Sequence, residues 1–282
     1  MRSIPAALAV VILFIFFGCS RQAAAPQAAS ALQVDAALTA GVVDAYRAWV
    51  LAESDAFLER TEAFVAAVAA GDRETAKKLY APARMHFERI EPIAEALGDF
   101  DPRIDAREGD VSDAEWRGYH KLEKLLWSAD DLKAGGGVAA LLAEDVRLLR
   151  AQLETAGIDI GGMVTGAVEL LNEVSTSKVT GEEERYSRTD LWDFQANVEG
   201  AAKIYELLAP ATRAADAALA DTLDRRFGAL QALLDAHRAG DGFKLYGDLK
   251  PEEVKALAAA VDGVAEPLSS LGKIFPAGGG SR

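Results

Sequence analysis

Apolar residues recur along this chain at intervals of three and four, a periodicity that suits an amphipathic helix and not a strand. Val43, Tyr46, Trp49, Val50, Phe57 and Leu58 set the pattern, and Phe64, Val65 and Val68 continue it. Ala is abundant and long alternating runs of β-branched residues are absent, which argues against sheets. Gly71-Asp72 ends a first helix. A second is predicted from about Glu74 to Leu97, with Pro82 and Pro92 as points of kinking or interruption. Residues 98–113 read as a polar loop holding Asp99, Asp101, Asp105 and Asp110. Ser112 or Asp113 can cap a third helix over Ala114 to Trp127. Gly135-Gly136-Gly137 opens a fourth, Val138 to Thr155, and a fifth spans Met163 to Ser177. After a charged loop from Thr180 to Arg188, two more helices cover Asp190 to Leu208 and Ala214 to Ala239. A turn at Gly240-Asp241-Gly242 leads to the last, Pro251 to Leu271. Helices on short connections predict an all-α fold of two packed four-helix bundles.

The 282 residues suffice for a substantial core, and the charge balance says what surrounds it. Half the residues are apolar and 26% are charged, which excludes a disordered chain. Lys plus Arg number 30 against 44 Asp plus Glu, a formal charge of -14. A phosphate backbone repels such a surface, so nucleic acid is not an expected partner, whereas cations are. The lone cysteine, Cys19, excludes an internal disulfide framework, a CxxC redox pair and a Cys-rich zinc site.

That cysteine closes an export signal. Arg2 precedes an apolar run from Ala6 to Phe17, and Gly18-Cys19-Ser20 follows. The run falls short of the roughly 20 residues that a bilayer span needs. It reads instead as a secretory signal. Its end resembles a bacterial lipobox, with Phe16 where Leu is usual. Residues 1–18 are therefore expected to be a lipoprotein signal peptide, and Cys19 the lipidated first residue of the mature chain. Residues 19–31, rich in Ala, Gln, Pro and Ser, are expected to be a flexible tether in the periplasm. Residues 32–272 then form the helical domain and 273–282 a disordered tail.

The residues suited to chemistry gather on two helices and one loop. In Gly118-Tyr119-His120-Lys121-Leu122-Glu123, His120 and Glu123 lie at i and i+3, so an imidazole and a carboxylate can converge on one cation. Glu88, Glu91 and Glu95 share a face of the preceding helix, with Arg84 and Arg89 close enough to make an ordinary salt-bridged surface. An acidic stripe opposite a His-Glu pair is also how bundles build carboxylate metal sites. Oxygen-rich with one imidazole, such a set suits iron, manganese or zinc. A single His in a matching motif favours one metal over a di-iron centre. Glu182-Glu183-Glu184, followed by Asp190 and Asp193, is a third group, from which Glu183 and Asp190 are further metal candidates. Helix capping explains part of that cluster. His86 and His237 have no partner pattern, and Trp49, Trp116, Trp127 and Trp192 read as core.

Taken together, these stretches are specific. The segment Ala83 to Glu95, then Gly98-Asp99, Asp101-Pro102 and the Gly118 to Glu123 motif, closely resembles the imelysin-like domain of EfeO-type periplasmic iron-uptake proteins. Lys178 to Glu183, Tyr186 to Asn197 and Glu266-Pro267-Leu268-Ser269 agree, and the resemblance extends from Val42 to Leu271. It implies a two-bundle helical fold, export to the periplasm and metal binding through His120 and Glu123. Fuller members of the family carry an N-terminal cupredoxin domain. Here only the tether precedes the first helix, so the short form is expected.

The expected function is thus a membrane-tethered periplasmic protein that captures iron and delivers it to an iron permease. A haem peroxidase of the same system is a further expected partner. His120 and Glu123 would be primary ligands, with Glu88 and Glu91 converging from the preceding helix; zinc or another divalent cation fits the same donors. Because the family was first grouped with metallopeptidases, an enzyme has to be weighed. Helical zinc peptidases use HExxH, whereas here Lys121 follows His120 and no second His lies within two turns. The alternative from another class is a periplasmic protein that binds alginate or another acidic polysaccharide, to which related domains are linked. That would require a local basic groove or bridging cations, and no long Lys/Arg cluster is present.

Overall fold

Tyr46, Val50, Phe57, Thr61, Phe64 and Val68 all turn to one buried side of a single long helix. It is the second element of a computed structural model that describes residues 36–94, 97–128 and 132–276. The expected signal peptide and tether, Cys19 and Glu95 lie outside the described residues. A short turn of helix, α1 (Ala36–Thr39), precedes that long helix, α2 (Val42–Ala70). Gly71 ends α2 at φ 73, where its N–H bonds the Val68 carbonyl and that of Asp72 reaches back to Ala67. This paired closure needs a left-handed residue, which glycine supplies without strain.

Helix α3 (Arg73–Ala94) runs unbroken through both Pro82 and Pro92, where kinking or interruption was expected. Each proline removes one backbone donor. Burial of Tyr80, Ala81, Ala83 and Arg84 at the first, and of Ile90, Ile93 and Ala94 at the second, holds the helix together. Within the expected polar loop a short helix, α4 (Phe100–Ile104), precedes α5 (Tyr119–Ser128). The start of α5 at Tyr119, rather than Ala114, has a steric cause. Gly118 sits at φ 90 against α4, and a Cβ there would lie 2.2 Å from the Ile104 carbonyl oxygen.

The remaining helices are α6 (Gly136–Leu153), α7 (Ile160–Thr176), α8 (Asp190–Ala215), α9 (Ala217–Asp235), α10 (Pro251–Ser269) and α11 (Leu271–Ile274). Helix α8 passes through Pro210 instead of stopping at Leu208. The turn expected around Gly240 is a small antiparallel hairpin, β1 (Arg238–Ala239) with β2 (Gly242–Phe243). Ile274 and Phe275 are buried. The packed body therefore reaches past residue 272, and the start of the expected tail is corrected accordingly.

Helices α2, α3 and α6, with α4 and α5, make one bundle; α7, α8, α9 and α10 make the other. The seam between them is α3 against α7 and α8. Two glycines let the backbones meet there. A Cβ on Gly200 would lie 2.4 Å from the Arg89 carbonyl oxygen, and one on Gly166 would lie 2.8 Å from that of Pro92. Among the described residues no helix is long and apolar enough to cross a membrane.

Candidate metal centre

The seam buries charge rather than excluding it. Tyr80, Arg84, Glu88 and Glu91 project from one face of α3 at helical spacing and are all almost completely enclosed. Opposite them stand Asp105, just after α4, and His120 and Glu123 on α5. The 3-10 turn Lys178–Thr180 contributes Lys178, and the loop before α8 contributes Glu183, Glu184 and Ser187. Asp190, Asp193 and Asn197 come from the first turns of α8. Arg188 in that loop takes φ 61, rare outside glycine, and its carbonyl accepts from the Tyr246 amide. On the α2 side the centre is closed by rings. Phe64, Tyr80 and Tyr119 stack or meet edge-on at 5.3–5.8 Å, and the Tyr119 and Thr61 hydroxyls are 2.7 Å apart.

Two permanent cations organise the carboxylates. The Arg84 guanidinium pairs with Asp105, with Glu88 at 2.5 Å, with Glu184 at 2.6 Å and with Asp193 at 3.4 Å. Lys178 donates to Glu88 at 2.9 Å and to both oxygens of Glu91 at 3.1 Å. Asn197 donates to the same two carboxylates, at 3.0 and 2.8 Å. Every oxygen of Glu88 and Glu91 thereby has a partner. Desolvation alone would neutralise Glu88, but Lys178 and Arg84 outweigh it and hold its carboxyl below the usual range.

His120 occupies the middle of what remains. Its Nδ1 lies 3.3 Å from Glu123 and 3.4 Å from the Tyr80 hydroxyl. Among the described residues its Nε2 has no hydrogen-bond partner, and it faces Asp105 and Glu183, both at 3.6 Å. Two sets of donor atoms result: Asp105, His120 and Glu183 on one side of the ring, and His120, Glu123 and Glu184 on the other. In each set the atoms lie within 4.8 Å of one another. Glu123 is itself fixed, its second oxygen accepting from the Tyr186 and Ser187 amides at 2.8 and 2.7 Å.

Electrostatics follow from the imbalance. Glu88, Glu91, Asp105, Glu123, Glu183, Glu184, Asp190 and Asp193 are all buried, against Arg84, Lys178 and His120. Burial and Arg84 oppose a charged imidazole, yet Asp105, Glu123 and Glu183 prevail and push His120 up to about 10. Glu183 is desolvated too, but Lys178, His120 and Arg84 hold it well below the usual carboxylate range. Glu184 goes the other way: burial and the neighbouring Glu123 push it up to about 8. Burial likewise pushes Asp190 up to about 7, although the Glu184 amide donates to it at 3.2 Å. A site where burial raises Glu184 while Glu123 and Glu183 stay low beside one imidazole has the chemistry to accept a metal ion.

Of the residues singled out in the sequence, His120 shares one donor set with Glu183 and the other with Glu123. Glu88 and Glu91 share the buried interior but are directed at Lys178, and Asp190 touches the centre only through the Glu184 amide. Asp105 and Glu184 complete the donor sets, and sequence reasoning passed over both as ligands. Asp105 was one of four aspartates in a loop, and only the return of Gly118 onto Ile104 selects it. Glu184 is one step from Glu183 in an acidic run, and the turn geometry aims both inward. Lys178 carried no signal beyond its place in the Lys178-Val179-Thr180-Gly181 stretch.

The sequence family described as Imelysin matches residues 42–271, which cover every residue of this centre. The chain belongs to the imelysin family. Among imelysin relatives, an "Efem/EfeO family lipoprotein" of Staphylococcus haemolyticus is 46% identical over 231 residues, 80% of each chain. The "Iron uptake system component EfeO" of Escherichia coli K12 is 43% identical over 248 residues, and so is its namesake in Shigella flexneri. Those alignments take in 86% of this chain and 66% of the relatives.

Proposed function

We propose that this protein captures iron for an uptake system, is tethered to the membrane on the periplasmic side through Cys19, and passes its cargo to an iron permease. A haem peroxidase of the same system is the further partner in this reading. The observation that carries it is His120: a buried imidazole whose Nε2 has no hydrogen-bond partner and faces two carboxylates at 3.6 Å. An orphaned nitrogen is costly to bury, and a cation bound there removes the cost. Imidazole with carboxylates suits iron, and zinc fits the same donors. Iron is preferred because the named relatives belong to iron uptake. In this assignment His120 binds with Asp105 and Glu183 on one side or Glu123 and Glu184 on the other. Glu88 and Glu91 keep Lys178 in place, and Asp190 backs Glu184. The role is carriage and not peptide hydrolysis, in keeping with the two relatives named as iron uptake system components.

The purified chain, loaded with Fe2+ without oxygen or with Zn2+ in air, should retain metal stoichiometrically after desalting. The double variant His120→Ala, Glu123→Ala should retain none. Equal retention by both proteins would sink the site. A second reading draws on one observation, a surface groove of about 670 Å3 where Arg103, Arg117 and Lys121 gather beside Trp116. An acidic polysaccharide would have to engage these three cations against Asp145, which pairs with both arginines, and against Asp99 and Glu115, which line the same groove. Calorimetry with alginate fragments, with and without divalent cation, separates the two readings. Heat that persists without cation in the double variant would favour the polysaccharide.

A further inference from the structure

A small cavity of about 60 Å3 opens beside the centre, lined by Asp101, Asp105, Asp110, Glu173, Glu183 and Arg107 among others. It has room for about two water molecules, and hence for an ion shedding its hydration shell. Its inner wall is Asp105 and Glu183, the carboxylates that face the unpartnered His120 Nε2. Its outer rim is Asp110, which is 40% exposed. The aromatic rings of α2, α3 and α5 close the opposite side. The charged groups of the walls are therefore acidic from the solvent to the imidazole, with one exception.

That exception is Arg107. Its Nη1 donates to Glu183 Oε2 at 3.0 Å, and its Nε donates to Asp110 at 3.0 Å. The guanidinium thus bridges an outer carboxylate and an inner one. Glu183 presents its two oxygens to different neighbours, Oε2 to Arg107 and Oε1 to His120. Glu182 Oε1 stands 3.9 Å from the same Nη1 and is 47% exposed. A short swing toward solvent would exchange Glu183 for Glu182 and leave the guanidinium paired throughout.

Granting the capture site at His120, we propose that this acidic cavity is the passage by which a divalent cation reaches it, and that Arg107 is the latch. The latch opens when Arg107 moves from Glu183 to Glu182. The cation passes, drawn by the surplus of carboxylates over the cations Arg84, Arg107 and Lys178 around the cavity. Glu183 then holds the ion through Oε1, while Oε2 is free to take Arg107 back behind it. A latch of this kind sets the speed of loading and unloading together.

The test follows Zn2+ by stopped flow: capture by the metal-free protein, and release into an excess of a chromophoric chelator. Arg107→Gln removes the charge and the fork, so capture and release should both accelerate, by about tenfold for the loss of one charge-assisted pair. Arg107→Lys keeps the charge without the fork and should fall between. Glu173→Gln, on the passage wall and away from His120, should slow capture and leave the thermal melt in place. Unchanged release in Arg107→Gln overturns the latch, as does faster capture alone, which would make Arg107 a mere competitor for Glu183. If Arg107→Gln does not fold, Arg107→Lys and Glu173→Gln decide, and unaltered capture in Glu173→Gln overturns the passage. Zn2+ binding that survives His120→Ala would overturn the capture site itself. His120-dependent binding with rates unaltered in every variant overturns the passage and the latch and leaves the capture site standing.

Discussion

Glu183 has four cationic groups within 4 Å: Arg107 at 3.0 Å, His120 at 3.6 Å, Arg84 at 3.7 Å and Lys178 at 3.9 Å. A carboxylate so surrounded is kept ionised, and an ionised oxygen aimed at an orphaned imidazole nitrogen is a ready metal donor. Replacing it should therefore act on binding. Glu183→Gln is expected to weaken Zn2+ or Fe2+ affinity by about 100-fold or more, beyond what outer-shell changes cost; competition against a chelator of known affinity measures it. Asp105→Asn should behave alike. A second expectation concerns protons. With its pKa pushed up to about 10, His120 is protonated near neutrality in the metal-free protein. A metal ion at its nitrogen must displace that proton, so apparent affinity should climb by about tenfold per pH unit between pH 7 and that value. Glu184, at about 8, adds a second proton to the exchange at the lower end. Calorimetry in buffers of different ionisation heat would register the released protons. Binding heats that do not depend on the buffer would contradict it.

At the scale of elements, Gly118 does more than start a helix. It lets the chain double back on α4 so tightly that no Cβ would fit beside the Ile104 carbonyl, and this sets Asp105 and His120 side by side. Gly118→Ala would force a Cβ to 2.2 Å from that oxygen at φ 90. It should cost about 3 kcal/mol or more of stability, read from urea denaturation, and lower metal affinity with it. Lys178 fails differently. Lys178→Met would leave Glu88 and Glu91 buried with one cation fewer, at a cost of about 3–5 kcal/mol. Adding Glu91→Gln should recover part of that loss, and no recovery would mean the lysine acts through packing alone. This scale also divides what was legible in the sequence from what was not. Helix positions followed from apolar spacing, and the His120–Glu123 pair from a separation that any helix converts into proximity. Asp105 and Glu184 depend on two irregular turns, one tightened by Gly118 and one carrying Arg188 in a left-handed conformation. No periodicity encodes either. Glu88 and Glu91 were visible as an acidic stripe on one helix face, but their partner Lys178 stands in a 3-10 turn far along the chain, so this pairing could not be read.

For the whole molecule, the seam holds more carboxylates than cations, so folding the metal-free protein means either protonating acids or tolerating repulsion. Occupancy by a divalent ion should relieve both. At a free metal concentration about 100 times the dissociation constant, the added stability should be about 2.7 kcal/mol, visible as a rise in melting temperature. The His120→Ala, Glu123→Ala protein should show no such rise. Helix α3 gives the seam a further consequence. It lies in the first bundle, but its backbone is seated against Gly166 and Gly200 of the second, and ligands come from both sides of the α6–α7 connection at residues 154–159. A chain cut in that connection would give two fragments, neither with a complete binding site. Rejoined, they would form a split receptor whose reassembly reports the cation.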